Sequence, residues 1–248
     1  MKTLFTAAVI RPDEPFNADV GFLRTLAHQL RTPLNSIVTT AEMLHNQTYG
    51  ELTPKQKRAS ERIIRNSDLL LRLIDDAMMF IRASAGALEI DCAPIEFDSV
   101  VQAARSFLPA AQQRQNTLTV TVDPLSPATV WGDIDLIKRV LMELLNNANQ
   151  ATSDGQINVE FGAVVEERWQ IKVKDTGIGL GVDVRENMWQ PFWRGDEFRK
   201  AVPSGQGLGL PIIKGLMMLM DGSFTLENAS PNGACATLSL KLISGTRI

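Results

Sequence analysis

Two stretches of heptad-like periodicity, separated by a short break, constrain the first third of this chain to a pair of helices that cannot stand alone. Leu23, Ala27, Leu30, Leu34, Ile37, Ala41 and Leu44 alternate spacings of four and three, the a/d seam of packed helices. Residues 48–52 break the pattern, and Thr53 followed by Pro54 is an N-cap with proline at the first helical position. From there to about Ala83, the residues Ile63, Ser67, Leu70, Ile74, Ala77 and Ile81 repeat the seam, and Ile64, Leu71 and Met78 widen it. The prediction is an antiparallel hairpin over 20–84. One hairpin buries too little apolar surface to be stable, whereas two make a four-helix bundle, so a homodimer is expected.

Beyond a hinge at 85–93, entered through Ser84-Ala85-Gly86-Ala87, the pattern becomes mixed α and β. Strands are expected at 95–97, 117–122, 157–161, 169–173, 224–226 and 236–242, and helices at 99–113, 133–151 and 207–220. The expected fold is therefore α plus α/β: a dimerising hairpin followed by an α/β sandwich domain over 94–248. Residues 1–19 read as an N-terminal arm. Their apolar run is short and meets Arg11, Asp13 and Glu14 without a cleavage site, which argues against a signal peptide. The stretch is too short for a folded domain of its own.

Bulk properties narrow the partners. A formal net charge of −3 gives no basic field for nucleic acid, and no stretch approaches the roughly 20 apolar residues that span a bilayer, so a cytoplasmic protein is expected. Cys92 and Cys235 have no metal-ligand spacing and read as reduced thiols. His28 and His45 are the only histidines, too few for a multi-histidine metal centre.

Four local patterns carry chemistry. His28 follows seam residue Ala27 and should point away from the hairpin core, where its imidazole is a nucleophile towards phosphorus; Pro33 should bend the helix just after it. Glu143 and Asn147 stand one turn apart on the 133–151 helix, a spacing that suits an Mg²⁺ ligand beside a water-orienting or basic carboxylate. Asp175-Thr176-Gly177-Ile178-Gly179 follows a strand; its carboxylate can accept the exocyclic amine of adenine, and its glycines let the backbone pass close to a base. Gly205-Gln206-Gly207-Leu208-Gly209 opens the last helix with N–H groups and the positive end of a helix dipole, suited to phosphates. It is not a Walker loop, because no Gly-Lys-Ser/Thr follows.

His28-Gln29-Leu30-Arg31-Thr32-Pro33-Leu34 resembles the H-box of sensor histidine kinases, and Glu143-Leu144-Leu145-Asn146-Asn147-Ala148 resembles the N-box of their ATPase domain. Pro191-Phe192-Trp193-Arg194-Gly195-Asp196 and the residues to Ser204 resemble the F-box and ATP lid. Order and separations match that family over residues 20–242. The resemblance implies a Bergerat-type fold, with ATP and Mg²⁺ as cofactors and the aspartate of a response-regulator receiver domain as phosphoryl acceptor. It makes His28 the phosphoacceptor and Asn147 the Mg²⁺ ligand. Asp175, Gly177, Gly179, Phe192, Arg194, Gly205, Gly207, Leu208 and Gly209 would surround ATP. Thr32 matches the position that orients water in members that also dephosphorylate their regulators. Two departures stand out: Gln29 occupies the place of a presumed glutamate base, and Gln150 that of an N-box lysine. The rival readings are a phosphotransfer scaffold with a decayed ATPase domain and an ATPase that does not phosphorylate itself.

Overall fold

The computed structural model describes residues 20–165, 167–181, 184–195, 199 and 207–242, so the expected arm over 1–19 lies outside the described residues. The chain forms two compact units that divide between Ala87 and Leu88.

The first unit is a helical hairpin of α1 (Val20–His45) and α2 (Pro54–Ser84). Thr53 caps α2: its Oγ1 accepts from the Gln56 N–H at 3.4 Å, and Gln56 Oε1 accepts from the Thr53 N–H at 2.8 Å. This reciprocal box satisfies two donors that a helix start leaves open. The helices run antiparallel, because Arg31 pairs with Asp75 while His45 lies against Ser60 and Glu61. Small side chains fill the space between them, with Ala27, Ala41, Ser60, Ser67 and Ala83 buried. Leu30, Ile37, Leu44, Ile63 and Leu70 instead remain 36–47% exposed. Of the seam, Ala27, Ala41 and Ser67 thus close the hairpin, while these five larger residues form an apolar face on the outside.

The second unit is a sheet covered on one face by helices. In chain order it contains β1 (Ala93–Glu96), α3 (Phe97–Arg105), α4 (Leu108–Gln112), β2 (Thr117–Val122), β3 (Thr129–Gly132) and α5 (Ile134–Ala151). There follow β4 (Gln156–Val165), β5 (Arg168–Asp175), α6 (Val184–Asn187), α7 (Gly209–Leu219), β6 (Ser223–Asn228) and β7 (Ala234–Lys241). The five-stranded sheet runs β2-β4-β5-β7-β6, parallel between β2 and β4 and antiparallel elsewhere, and β1 pairs with β3 in a two-stranded annex. Leu141 and Leu145 of α5 and Ile212, Ile213 and Leu216 of α7 are fully buried, as are Ile157, Val159 and Ile171 of the sheet. Each such side chain stabilises the fold by about 1.5–3 kcal/mol. Phe97 adds edge-on contacts with Phe161 at 5.8 Å and Trp169 at 5.4 Å.

Three local expectations change. The helix expected over 99–113 is two helices, because Pro109 lacks an N–H and its ring crowds the carbonyl four residues back, at Arg105, where α3 ends. The first strand stops at Glu96, and Phe97 already belongs to α3. β3 and the short α6 were not expected at all; β3 is only four residues long and owes its extended form to pairing with β1.

Candidate functional site

In the hairpin unit, His28 lies exposed on α1, directly after the buried Ala27. α1 is continuous through Pro33, and the Thr32 hydroxyl donates to the His28 carbonyl at 3.3 Å. Gln29 is exposed beside the histidine. Arg31, one turn on, is held by Asp75 of α2 through Nε at 3.0 Å and Nη2 at 2.5 Å to the same oxygen. The face that carries His28 is therefore open, and its neighbouring cation is neutralised.

In the α/β unit, Asp175 reaches its position by strand alternation. Trp169, Ile171 and Val173 of β5 point inward, and the same period carries Asp175, the last residue of the strand, to the buried face at 5% exposure. Its Oδ1 accepts N–H bonds from Gly177 at 2.8 Å and Ala234 at 3.2 Å. Burial pushes its carboxyl above the ordinary aspartate value, and the two N–H bonds only partly offset that. The loop after it is tightly seated: a Cβ on Gly177 would lie 2.4 Å from the Ala151 carbonyl oxygen, and Gly179 has φ +72°. Gly233, in the β6–β7 turn, has φ +95° and presses its backbone against Asp175, where a Cβ would sit 1.9 Å from the Asp175 oxygen. Asn228 fastens the loop's far side, accepting from the Leu180 N–H at 2.7 Å and donating to its carbonyl at 3.3 Å.

The second wall is α5. Asp133 caps it by accepting from the N–H groups of Asp135 and Leu136. Glu143 and Asn147 project from the flank beside its buried stripe, and they meet the start of α7. A Cβ on Gly209 would lie 3.1 Å from Glu143 Oε2 and 3.3 Å from Asn147 Nδ2. Glycine at 209 is thus what lets the α7 N-terminus approach this carboxylate and amide. The α7 N-cap residue, Leu208, makes no side-chain cap, and a helix start of this kind presents N–H groups and the positive end of its dipole. Glu143 Oε1 is paired with Arg139 at 2.9 Å. Gln150 shows its carbonyl to Arg114 at 3.3 Å.

The last wall is a neck. The Phe192 N–H donates to the Gly207 carbonyl at 2.9 Å, and a Cβ on Gly207, at φ +71°, would lie 2.6 Å from the Trp193 oxygen. Phe192 itself is 65% exposed. Arg194 follows at the neck, its carbonyl accepting from Arg199 at 3.1 Å. Gly205 and most of the segment read as a lid lie outside the described residues.

The fold therefore sets the loop after Asp175 on the end of α5 through Gly177, with Gly179 against Asn228 and Gly233, and brings Glu143 and Asn147 up to Gly209 at the start of α7, while Gly207 lies against Phe192 and Trp193. Donor chemistry at the second cluster fits Mg²⁺, a hard cation that takes oxygen ligands and keeps waters and phosphates in its shell. The Asn147 amide oxygen and the Glu143 carboxylate are the groups present for it. Sequence reasoning missed Arg139, Asn228 and Gly233. The Asn-Gly pair at 232–233 signals a turn, but nothing local places that turn against Asp175.

Among the described residues no helix is long and apolar enough to cross a membrane. A family model described as histidine kinase-, DNA gyrase B-, and HSP90-like ATPase matches residues 132–244, and one described as the His Kinase A phospho-acceptor domain matches residues 20–86. The sensor histidine kinase GacS of Pseudomonas protegens is 32% identical over 228 residues, 89% of this chain and 24% of that protein. The chain thus spans about a quarter of that relative's length. The crystal structure of full-length ShkA in complex with AMPPNP superposes with a TM-score of 0.78 at 26% identity, covering 93% of this chain and 47% of ShkA. The Acinetobacter baumannii histidine kinase AdeS shares the fold, with a TM-score of 0.61 at 18% identity over 88% of this chain and 98% of its own. With the phospho-acceptor model and the histidine kinase-like ATPase model matched in order along one chain, the protein belongs to the sensor histidine kinases.

Proposed function

We propose that the chain transfers the γ-phosphoryl group of ATP to His28 and then to an aspartate of a response-regulator receiver domain. The observation that carries this reading is the pairing, in one chain, of an exposed His28 with a site where the loop of the buried Asp175 sits on the last turn of α5 and the start of α7 meets Glu143 and Asn147, one to two turns earlier on the same helix. That spacing suits a nucleotide laid along α5, its base on Asp175 and its phosphates towards Gly207, Leu208 and Gly209. Oδ2 of Asp175 would accept from the adenine amine, because both described backbone bonds fall on Oδ1.

Asn147, with Glu143 beside it, would hold Mg²⁺, which supplies charge neutralisation on the phosphates when bound. Phe192, Arg194 and Gln150 line the approach to the phosphates from the neck and from α5. A ring nitrogen of His28 attacks the γ-phosphorus in line, the bond to the β-phosphate oxygen breaks, and ADP leaves. Gln29 accepts a hydrogen bond from the other ring nitrogen and selects the tautomer, but as a neutral amide it takes no proton. Thr32, one turn from His28, orients water for the reverse function, removal of phosphate from the regulator.

The exposed Leu30, Ile37, Leu44, Ile63 and Leu70 support a homodimer in which two hairpins make one bundle. Such a dimer, working in the cytoplasm and answering to a sensor segment or a separate sensor protein, completes the reading. Its test is incubation of the wild type and His28→Ala with labelled Mg-ATP. Acid-labile, base-stable phosphate on the wild type alone, chased onto a receiver domain, is expected. Phosphate retained by His28→Ala would remove His28 from the reaction.

A further inference from the structure

One buried polar cluster of the α/β unit is not used by the proposed reaction. Asn116 is 3% exposed and Asn149 is 7% exposed. Asn116 Nδ2 donates to Asn149 Oδ1 at 2.8 Å and to the Thr152 carbonyl at 3.1 Å, and Asn116 Oδ1 accepts from the Gly155 N–H at 3.1 Å. Asn149 Nδ2 donates to the Ala110 carbonyl at 3.2 Å. Two amides thereby tie together four pieces of chain: α4, the entry to β2, the last turn of α5, and the turn that leads into β4. Burying amides is unfavourable unless they are bonded, and a bonded network favours one arrangement over others. An aliphatic residue at position 149 would fill the same place on the buried stripe of α5 without that cost. The pair is therefore informative about which arrangement it fixes.

What it fixes is the seat of the Asp175 loop. The Ile178 N–H donates to the Ala151 carbonyl at 3.2 Å, on the turn of α5 that Asn149 anchors. Thr176 is locked to the first residue of β4, directly after the Gly155 that Asn116 holds, its N–H donating to the Gln156 carbonyl at 3.1 Å and its Oγ1 accepting from the Gln156 N–H at 2.9 Å. The contact has no slack, since a Cβ on Gly155 would lie 2.6 Å from both Thr152 Cγ2 and Thr176 Oγ1, and one on Gly177 would lie 2.4 Å from the Ala151 oxygen. A shift of the α5 end would pass straight into the loop that follows Asp175.

We infer that Asn116 and Asn149 are positioning residues for the nucleotide base: they clamp the end of α5 and the following turn, and so set the Asp175–Gly179 loop. Neither touches the nucleotide. The inference rests on the reading of that loop as the adenine site. The test uses the whole chain with Asn149→Leu, which keeps the branching of the side chain and removes its hydrogen bonds, and Asn116→Asp, which keeps the acceptor for Gly155 and loses the donors. Titration with Mg-ATP should show Kd and KM raised about tenfold, the equivalent of one net hydrogen bond, with kcat at saturating ATP within about twofold. Amide exchange at Ile178 should quicken in the same variants while exchange at Ile171, in the core of β5, stays slow. Fewer binding sites at unchanged Kd, or equal quickening at Ile178 and Ile171, would mean that the pair only supports the fold, and would overturn the inference. An unchanged Kd beside a wild type that binds ATP overturns the clasp alone. A wild type that binds no ATP overturns the adenine reading and the clasp with it.

Discussion

Asp175→Asn should separate nucleotide affinity from stability. An amide oxygen can accept both N–H bonds that now fall on Oδ1, from Gly177 and Ala234, so the loop keeps its shape. The amide nitrogen is then forced into the place of Oδ2, where it turns a donor towards the donor amine of adenine. The variant loses a charge-assisted hydrogen bond of about 1.5–3 kcal/mol and gains a donor–donor conflict, so ATP affinity should fall roughly ten- to a hundredfold or more. Stability should move the other way. Burial raises the folded-state pKa of Asp175 above its unfolded value, so the native state holds this proton more firmly than the unfolded chain does. The resulting stabilisation is fully present below the ordinary aspartate value and is lost as pH rises through the folded value. Above that folded value the wild type therefore carries a desolvated charge that asparagine lacks. The unliganded variant should melt at or above the wild-type temperature at pH 7, and the gap should close on acidification. Wild-type ATP binding should weaken on acidification from a higher pH than an ordinary aspartate would give. Titration calorimetry and thermal melts read these quantities. Near-wild-type affinity would refute the placement of the base, and a large drop in melting temperature would show that the charge itself holds the loop.

Gln29→Glu should speed autophosphorylation, by no more than the roughly 10²–10⁴-fold of positioned acid–base catalysis; equal initial rates would show that His28 needs no adjacent base. Glu143→Gln should slow phosphorylation at saturating ATP with little change in Kd, and an unchanged rate removes Glu143 from the chemistry. Gly209→Ala places a Cβ 3.1 Å from Glu143 Oε2, which should weaken Mg-ATP binding about tenfold through the 1–3 kcal/mol of overpacking, as read by titration. Ile37→Asp, on the 46%-exposed position of α1, should shift the protein to monomer in sedimentation while leaving Asp175-dependent ATP binding intact.

The elements legible in the sequence are those whose periodicity and caps agree. The hairpin follows from its seam and from Thr53-Pro54, and α5 from its apolar stripe behind the Asp133 cap. Asp175 is read from the sequence as the start of a glycine turn after a strand; its inward position follows from the alternation of Trp169, Ile171 and Val173 once β5 runs on to include it. The misses have physical causes. Apolar spacing across residues 99–113 outweighed Pro109, although the missing N–H there decides where α3 ends. β3 exists by virtue of β1, a partner more than 30 residues earlier, and no window of sequence contains both. Gly233 and Asn228 belong to the site because β7 pairs with β5 and β6 with β7, so their meaning lies in register. Asn149 sits in an otherwise apolar helical stripe, and its purpose becomes visible only beside Asn116.

The bond from Phe192 to Gly207 has a consequence for how such a site tolerates change. It ties residue 192 to residue 207, so the sequence between them is closed into a ring. Insertions or deletions inside that ring leave its closure in place. Closing a longer excursion adds only about 0.6 kcal/mol per doubling of its length. Residues 192 and 207 thus stay joined whatever the length of chain between them, whereas a single methyl group at Gly207 would open the ring itself.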